Sequence, residues 1–551
     1  MTASTVLSAG ETGTARREQE GGLVGTGALL RLALRRDRVV ATAWILIFVV
    51  MAAGSAGAVA ELYPTMESRV HGAAGINNTP AMVALYGRVY DPTSLGAVGL
   101  VKLVAFGAAF VALVCMFTVV RHTRSEEEAG RLELIGATVV GRYAALTAAL
   151  LLSVGASLVL GVLTAFGLAG AGLPTSGAFA FGLSWAFVGI AFSAVGAVAA
   201  QVTSSARTAM GLGATVLAAA YLLRAIGDST GSDSETWLSW VSPIGWGQQV
   251  RPFAGDQWWV LLYLLVFAVL VSSGAYALVS RRDHGAGLLA DKPGPANAAA
   301  SLRTPFALAF RLQRNGLVGW LSGVCLGGLV LGSMASQVGN MIDSPEARDF
   351  IAKLGGQEGL TDAFLSAEMG ILAVIVAAYG ISAALRLRSE ETTGRAEPLL
   401  ATEVSRLRYA LSHVLIALVG TTVLMLGMGV FAGLAHGLAA DDLGQVGRVI
   451  GAAAVQLPAV WVLTGITVAV FGLAPRAVMA GWVALVVFVL LGQLGPVLKA
   501  PEWLMDISPF SHTPKLPGGT VEALPLVVLT LIAAALIVVG LTSFRRRDIA
   551  S

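Results

Sequence analysis

Twelve stretches of about 20 residues run through this chain almost without charge. They lie at 39–60, 98–120, 142–170, 177–201, 208–227, 257–280, 316–337, 367–386, 408–436, 446–472, 477–498 and 523–543. A helix rises 1.5 Å per residue, so about 20 apolar residues cross the ~30 Å hydrocarbon layer of a bilayer. Lipid offers no partner to backbone N–H and C=O groups, so segments of this kind must close their hydrogen bonds inside helices. The chain is therefore expected to be an all-α integral membrane protein with about 12 transmembrane helices. Only 13% of its 551 residues are charged, about half the share in soluble domains. Its 66 glycines suit helices that approach closely in lipid. The third and ninth spans are long enough to require tilt, a kink or an extension beyond the membrane.

Residues 1–24 read as a disordered tail, because 1–22 carry no apolar core or cleavage site of a signal peptide. Cys115 and Cys325 fall in separate apolar spans and read as small packing residues. A net charge of +3 gives no argument for nucleic acid. Orientation follows from the basic residues. With both termini in the cytoplasm, 26 of the 36 Lys and Arg lie on that side, nine lie opposite, and Lys102 falls inside a span.

Two halves of the chain repeat. "LALRRDRVVATAW" at 32–44 parallels "LAFRLQRNGLVGW" at 308–320, "VSPIGW" at 241 parallels "ISPFSH" at 507, and "SRRD" at 280 parallels "RRRD" at 545. Each half has six spans beginning and ending on one side, so the repeat is parallel, about an axis along the membrane normal. The halves are 25–282 and 303–551, joined by a Gly/Ala/Pro-rich linker at 283–302 that is free to be flexible.

After the second span of each half comes a charged sentence, "RSEEEAGRLELIGAT" at 124–138 and "RSEETTGRAEPLLAT" at 388–402. As one helix, each would place Glu127 over Arg131 and Glu391 over Arg395, four residues apart on one face. Ser125 and Ser389 would cap it. Gly130 and Gly394 in its middle suggest a break. A loop serving topology alone needs arginines, whereas here Glu126, Glu127 and Glu133 are kept in register with Glu390, Glu391 and Glu397. Two matched elbows suit two matched copies of a soluble partner. No nucleophile or metal-ligand constellation accompanies the carboxylates, which argues against catalysis.

The chain has no phosphate-binding G-x-x-x-x-G-K-[ST] motif, so it cannot hydrolyse ATP by itself. Ion coupling would call for acids in mid-membrane, and the spans hold no acidic relay. Lys102 and Glu368 sit at the outer ends of the second and eighth spans, where snorkelling to the surface is the default. His413 and His436 read as interfacial. The rivals are an ion-coupled secondary multidrug transporter and a membrane-embedded transferase; for the latter Asp441 and Asp442 are too little.

Two fused six-span halves, each with a basic amphipathic stretch, an "EExxGRxE"-type elbow and an "SP" segment before the last span, resemble the permeases of type-2 (type V) ABC exporters. The large actinobacterial tetronasin-type, polyketide-antibiotic exporter permeases are the nearest resemblance. It implies connecting helices on the inner surface at 31–38 and 311–314, and coupling helices at 125–133 and 389–397 that dock on ATPase subunits. The coupling residues would be Glu126, Glu127, Arg131, Glu133, Glu390, Glu391, Arg395 and Glu397. Turns at 203–207 and 474–476 would be secondary contacts, and 233–254 and 499–516 outer re-entrant segments. The resemblance also implies Phe106, Phe110, Met116, Phe117, Met210, Met369 and Tyr379 as pathway lining. The partners would be two copies of a separate ATP-binding subunit holding ATP and Mg, membrane lipids, and a hydrophobic or amphipathic compound. Thr392 for Glu128 and Pro398 for Leu134 depart from strict symmetry.

Overall fold

The computed structural model describes residues 21–78, 80–136, 139–230, 237–282, 285–289, 294–338, 356–494 and 501–548. The chain divides into two compact units, Met1–Gly294 and Pro295–Ser551. Among the described residues, eleven helices are long and apolar enough to cross a membrane, and the chain is an all-α integral membrane protein.

In the first unit the long helices are α1 (Thr26–Leu62), α4 (Leu95–His122), α7 (Ala144–Gly170), α8 (Thr175–Val202), α9 (Ala206–Thr230) and α12 (Val260–Val279). Short helices α2 (Met66–Asn77) and α3 (Pro80–Tyr86) follow α1. The elbow supplies α5 (Arg124–Glu128) and α6 (Arg131–Gly136), and the segment before α12 supplies α10 (Trp237–Trp240) and α11 (Pro243–Gln249). The second unit repeats the order: α13 (Pro305–Val338), α14 (Gly356–Ala384), elbow helices α15 (Arg386–Thr392) and α16 (Ala396–Leu400), and α17 (Arg406–Ala439). Then come α18 (Gly444–Ala454), α19 (Leu457–Leu473), α20 (Ala480–Leu494), α21 (Glu502–Met505) and α22 (Ala523–Arg546).

Three elements differ from the sequence expectation. The basic stretches 31–38 and 311–314 are not separate surface helices. They lie within α1 and α13, which run unbroken for 37 and 34 residues, because neither a proline nor a capping turn separates them from the apolar run. The tenth span is two helices: Pro458 lacks an N–H, and the ladder is interrupted at Val455–Gln456. The eleventh, α20, has 15 residues, about 22 Å of helix; the end of that expected span, 495–498, lies outside the described residues.

Each unit has its own core, around Trp185, Phe181, Phe192 and Met116 in the first and Met369, Met425, Met428 and Leu463 in the second. Small residues set the closest crossings. At the α7–α8 contact, a Cβ on Gly182 would run into the carbonyl oxygen of Gly161, so only glycine permits this approach. Of the expected disordered tail, residues 21–24 are bonded to the start of α7: the amides of Gly141 and Tyr143 donate to the carbonyls of Val24 and Gly22, both at 2.9 Å. Residues 1–20 lie outside the described set.

Candidate functional site: the paired charged elbows

Each elbow is two short helices joined at a left-handed glycine, with φ +70° at Gly130 and +69° at Gly394. The Gly394 amide donates to Glu391 O and the Arg395 amide to Glu390 O, both at 3.0 Å, a helix ending of the Schellman type. The Gly130 amide donates to Glu127 O at 3.0 Å. A Cβ at either glycine would meet no atom within 4 Å, so the backbone angle, not space, requires glycine.

This break changes the ion pairs. Arg131 and Arg395 do not reach the glutamates four residues back; they fold over the glycine to those five back. Arg131 Nε lies 2.6 Å from Glu126, and Arg395 Nε 2.9 Å from Glu390. Nor do the serines cap: α5 and α15 start from Thr123 and Leu385 without a side-chain cap, leaving Ser125 and Ser389 inside the helices.

Glu127 and Glu391 are buried, 7% and 5% exposed, and each is gripped by the arginine that precedes the aspartate after the last helix of its half. Arg282 forks onto Glu127 at 2.7 and 2.9 Å, and Arg547 onto Glu391 at 2.7 and 2.9 Å. Arg124 and Arg388, three residues upstream, add bonds of 2.9 and 3.2 Å. The third helix of each half closes the knot. Arg142 donates to Arg282 O at 2.9 Å and Arg406 to Arg547 O at 2.7 Å. Bidentate, charge-assisted bonds of this kind are among the strongest side-chain contacts. Each elbow is thus locked to two other helices of its own unit.

Around the shared knot the halves differ. The Gly285 amide donates to Glu127 at 2.6 Å, and the Arg124 guanidinium donates to Thr203 O and, at 2.9 Å, to Ala286 O. Amides of Leu288 and Leu289 donate to Gln201 O and Val202 O at 3.2 and 3.0 Å. The described start of the linker is therefore tied under the first elbow rather than free. Glu128 accepts from the Ala206 amide at 2.9 Å and caps α9, whereas Thr392 turns back on Arg388 O. Arg36 and Asp37 of α1 pair with Glu126 and with Arg121 and His122. In the second half Gln313 faces His413 instead, at 3.2 Å. Arg547 rests on the rings of Phe471 and Phe544, 4.9 and 5.1 Å from their centroids.

Exposed at the tips are Arg131, Glu133 and Leu134 in the first elbow, and Arg395, Glu397 and Pro398 in the second. Two structural arginines here, Arg282 and Arg547, escaped the sequence reading. "SRRD" and "RRRD" marked the repeat but not their role, although they shift in step with the glutamates.

The multidrug efflux system permease protein Rv1217c of Mycobacterium tuberculosis is 46% identical to this chain over 550 residues, covering 99% of each. The family described as multidrug efflux system permease Rv1217c, C-terminal domain, matches residues 302–545. The chain belongs to this family of multidrug efflux permeases.

The expected lining residues of this permease fall into three sets. Phe106 and Phe110 are exposed on one face of α4, edge to face at 5.0 Å. Phe117 and Met210 line a groove of about 310 Å³ beside Trp44. Met116, Met369 and Tyr379, by contrast, are core residues of their own halves. Lys102 lies over the Tyr86 ring at 5.7 Å. His413 and His436 are buried within the second half, at 2% and 5% exposure.

Proposed function

We propose that this permease is the membrane subunit of an ATP-driven exporter, carrying hydrophobic or amphipathic compounds such as drugs, lipids or polyketide antibiotics out across the bacterial plasma membrane. Two copies of a separate ATP-binding subunit, holding ATP and Mg, supply the energy. The elbow ends face the cytoplasm together with both termini. The observation that carries this reading is the duplicated clamp: one buried glutamate–arginine knot, repeated in each half, presents a short charged tip. Tip residues Arg131, Glu133, Arg395 and Glu397 make the contact; Glu126, Glu127, Glu390 and Glu391 hold the tips in place. Closure of the ATPase pair pushes on both tips, and the knots pass the motion to the third and last helices of each half.

Reconstitution with the ATP-binding subunit tests it. Uptake of a fluorescent drug into inverted vesicles is expected to need ATP and to survive collapse of the proton and sodium gradients. Uptake that stops on gradient collapse while ATP remains would establish the ion-coupled alternative. Reversal of both tips, Glu133→Lys with Glu397→Lys, is expected to abolish drug-stimulated ATP hydrolysis without loss of folded protein.

A further inference from the structure

At the end of each half away from the elbow, the "SP" segment closes over the fifth and sixth helices. In the first half the polar groups described there bond mostly to one another, although the buried Arg224 Nε has no partner among the described residues. Arg224, fully buried, contacts Asp228 at 3.3 Å and donates to Ala84 O at 2.6 Å, and Gln248 donates to Asp228 at 3.0 Å. Ser242 donates its hydroxyl to Ala220 O at 2.7 Å. The cavity beside Gln248 holds about 20 Å³.

The second half differs. A cavity of about 850 Å³ opens between α14, the break preceding α19, and the segment around the second "SP". Two of its lining groups are buried with no hydrogen-bond partner: the Gln456 amide oxygen, on a residue 4% exposed, and the Ser508 hydroxyl, on a residue 3% exposed. Ser508 stands where Ser242 stands in the first half, yet caps nothing. A buried polar atom without a partner costs about 1–3 kcal/mol, and an interrupted helix is where membrane transporters expose polar groups to a ligand. Asp362 and Asp506 also line the cavity, with Asp362 held by Arg448 at 2.7 Å. Leu491, Met505 and Phe510 supply apolar wall.

We infer that this cavity is a ligand site for an amphipathic compound bearing hydrogen-bond donors, such as aromatic amines or hydroxyls, which Gln456 and Ser508 receive while the apolar wall covers its rings. The amide oxygen and the carboxylates accept, so donor groups rather than a bare positive charge are what the site reads. The site belongs to the second half alone and needs neither ATP nor an ATP-binding subunit, so its test is separate from that of the proposed motor.

Ethidium, a flat aromatic cation with two primary amines, is the probe. Its fluorescence anisotropy is titrated with the full-length permease in lipid nanodiscs, with empty nanodiscs subtracted. Saturable binding is expected, weakened about tenfold by Gln456→Leu, the worth of one hydrogen bond of ~1.4 kcal/mol. A smaller loss is expected for Ser508→Ala, and Gln456→Glu, which keeps an acceptor, retains affinity. Tetraphenylphosphonium, equally apolar and cationic but without a donor, is expected to compete poorly. No saturable binding to the native protein overturns the inference, as does affinity unchanged in both Gln456→Leu and Ser508→Ala. Competition by tetraphenylphosphonium as strong as that by unlabelled propidium, which keeps both amines, also overturns it. Should Gln456→Leu fail to fold, Ser508→Ala decides alone.

Discussion

The two elbows share a knot and differ in what surrounds it. Among the described residues, four bonds are donated to Glu127, from both arms of Arg282, from Arg124 and from the Gly285 amide. Among the same residues three are donated to Glu391, from Arg547 and Arg388. The extra bond comes from the chain that continues into the linker. A carboxylate–arginine lock can thus be built twice by one sequence pattern, while the segment that follows the last helix decides how firmly each copy is held. The first elbow is embedded between α1, α9 and the linker; the second leans on its own helix ends and on two aromatic rings.

Removing the glutamate is the severest way to break that comparison. Glu127→Ala leaves the buried Arg124 and the partly buried Arg282 without their anion, a loss of about 3–5 kcal/mol, and Glu391→Ala is expected to cost less. Thermal unfolding in nanodiscs reads the difference, and equal midpoints would remove the asymmetry. Gly287→Val comes next: a Cβ there would press on the Thr203–Ser204 backbone at 2.5–2.6 Å, for about 1–3 kcal/mol. Limited proteolysis is expected to cut the linker of this variant much faster than that of the native protein.

Two milder changes sharpen the comparison. Gly130→Ala and Gly394→Ala each force a Cβ into left-handed backbone with open space around it, costing about 1–2 kcal/mol. The two losses are expected to be equal, since the backbone alone decides them; unequal midpoints would mean that side-chain surroundings matter. Smallest is Glu128→Ala, which loses the cap on α9 at about 1 kcal/mol, against a few tenths for Thr392→Ala, whose hydroxyl bonds only its own helix. Amide exchange at Ala206 is expected to quicken in the first variant alone.

The spans were legible because an apolar run of about 20 residues admits few structures in lipid. Their fine structure was less so. The tenth span broke because Pro458 removes one N–H inside a mostly apolar run. The elbow's glycines were legible as a break, but helical spacing had been carried across them, and with φ near +70° a residue four along no longer shares the face. The clamps were hidden for a different reason. Glu127 and Arg282 meet across 155 residues of sequence, and no local pattern reports a contact of that range. The matched shift of "SRRD" and the charged sentence was the available signal. The buried knot of Arg224 and Asp228 was hidden too, because a charged pair near a helix end reads as a surface feature until the short helices α3 and α11 fold over it.

The central claim is that the clamped tips are where the motor binds, and photo-cross-linking tests it most directly. A benzophenone side chain at position 133 or 397, in membranes holding the ATP-binding subunit, is expected to cross-link that subunit from both positions. Arg282→Ala is expected to abolish the adduct from 133 while sparing that from 397. Adducts with lipid alone, or none with the subunit from either tip, would contradict the account.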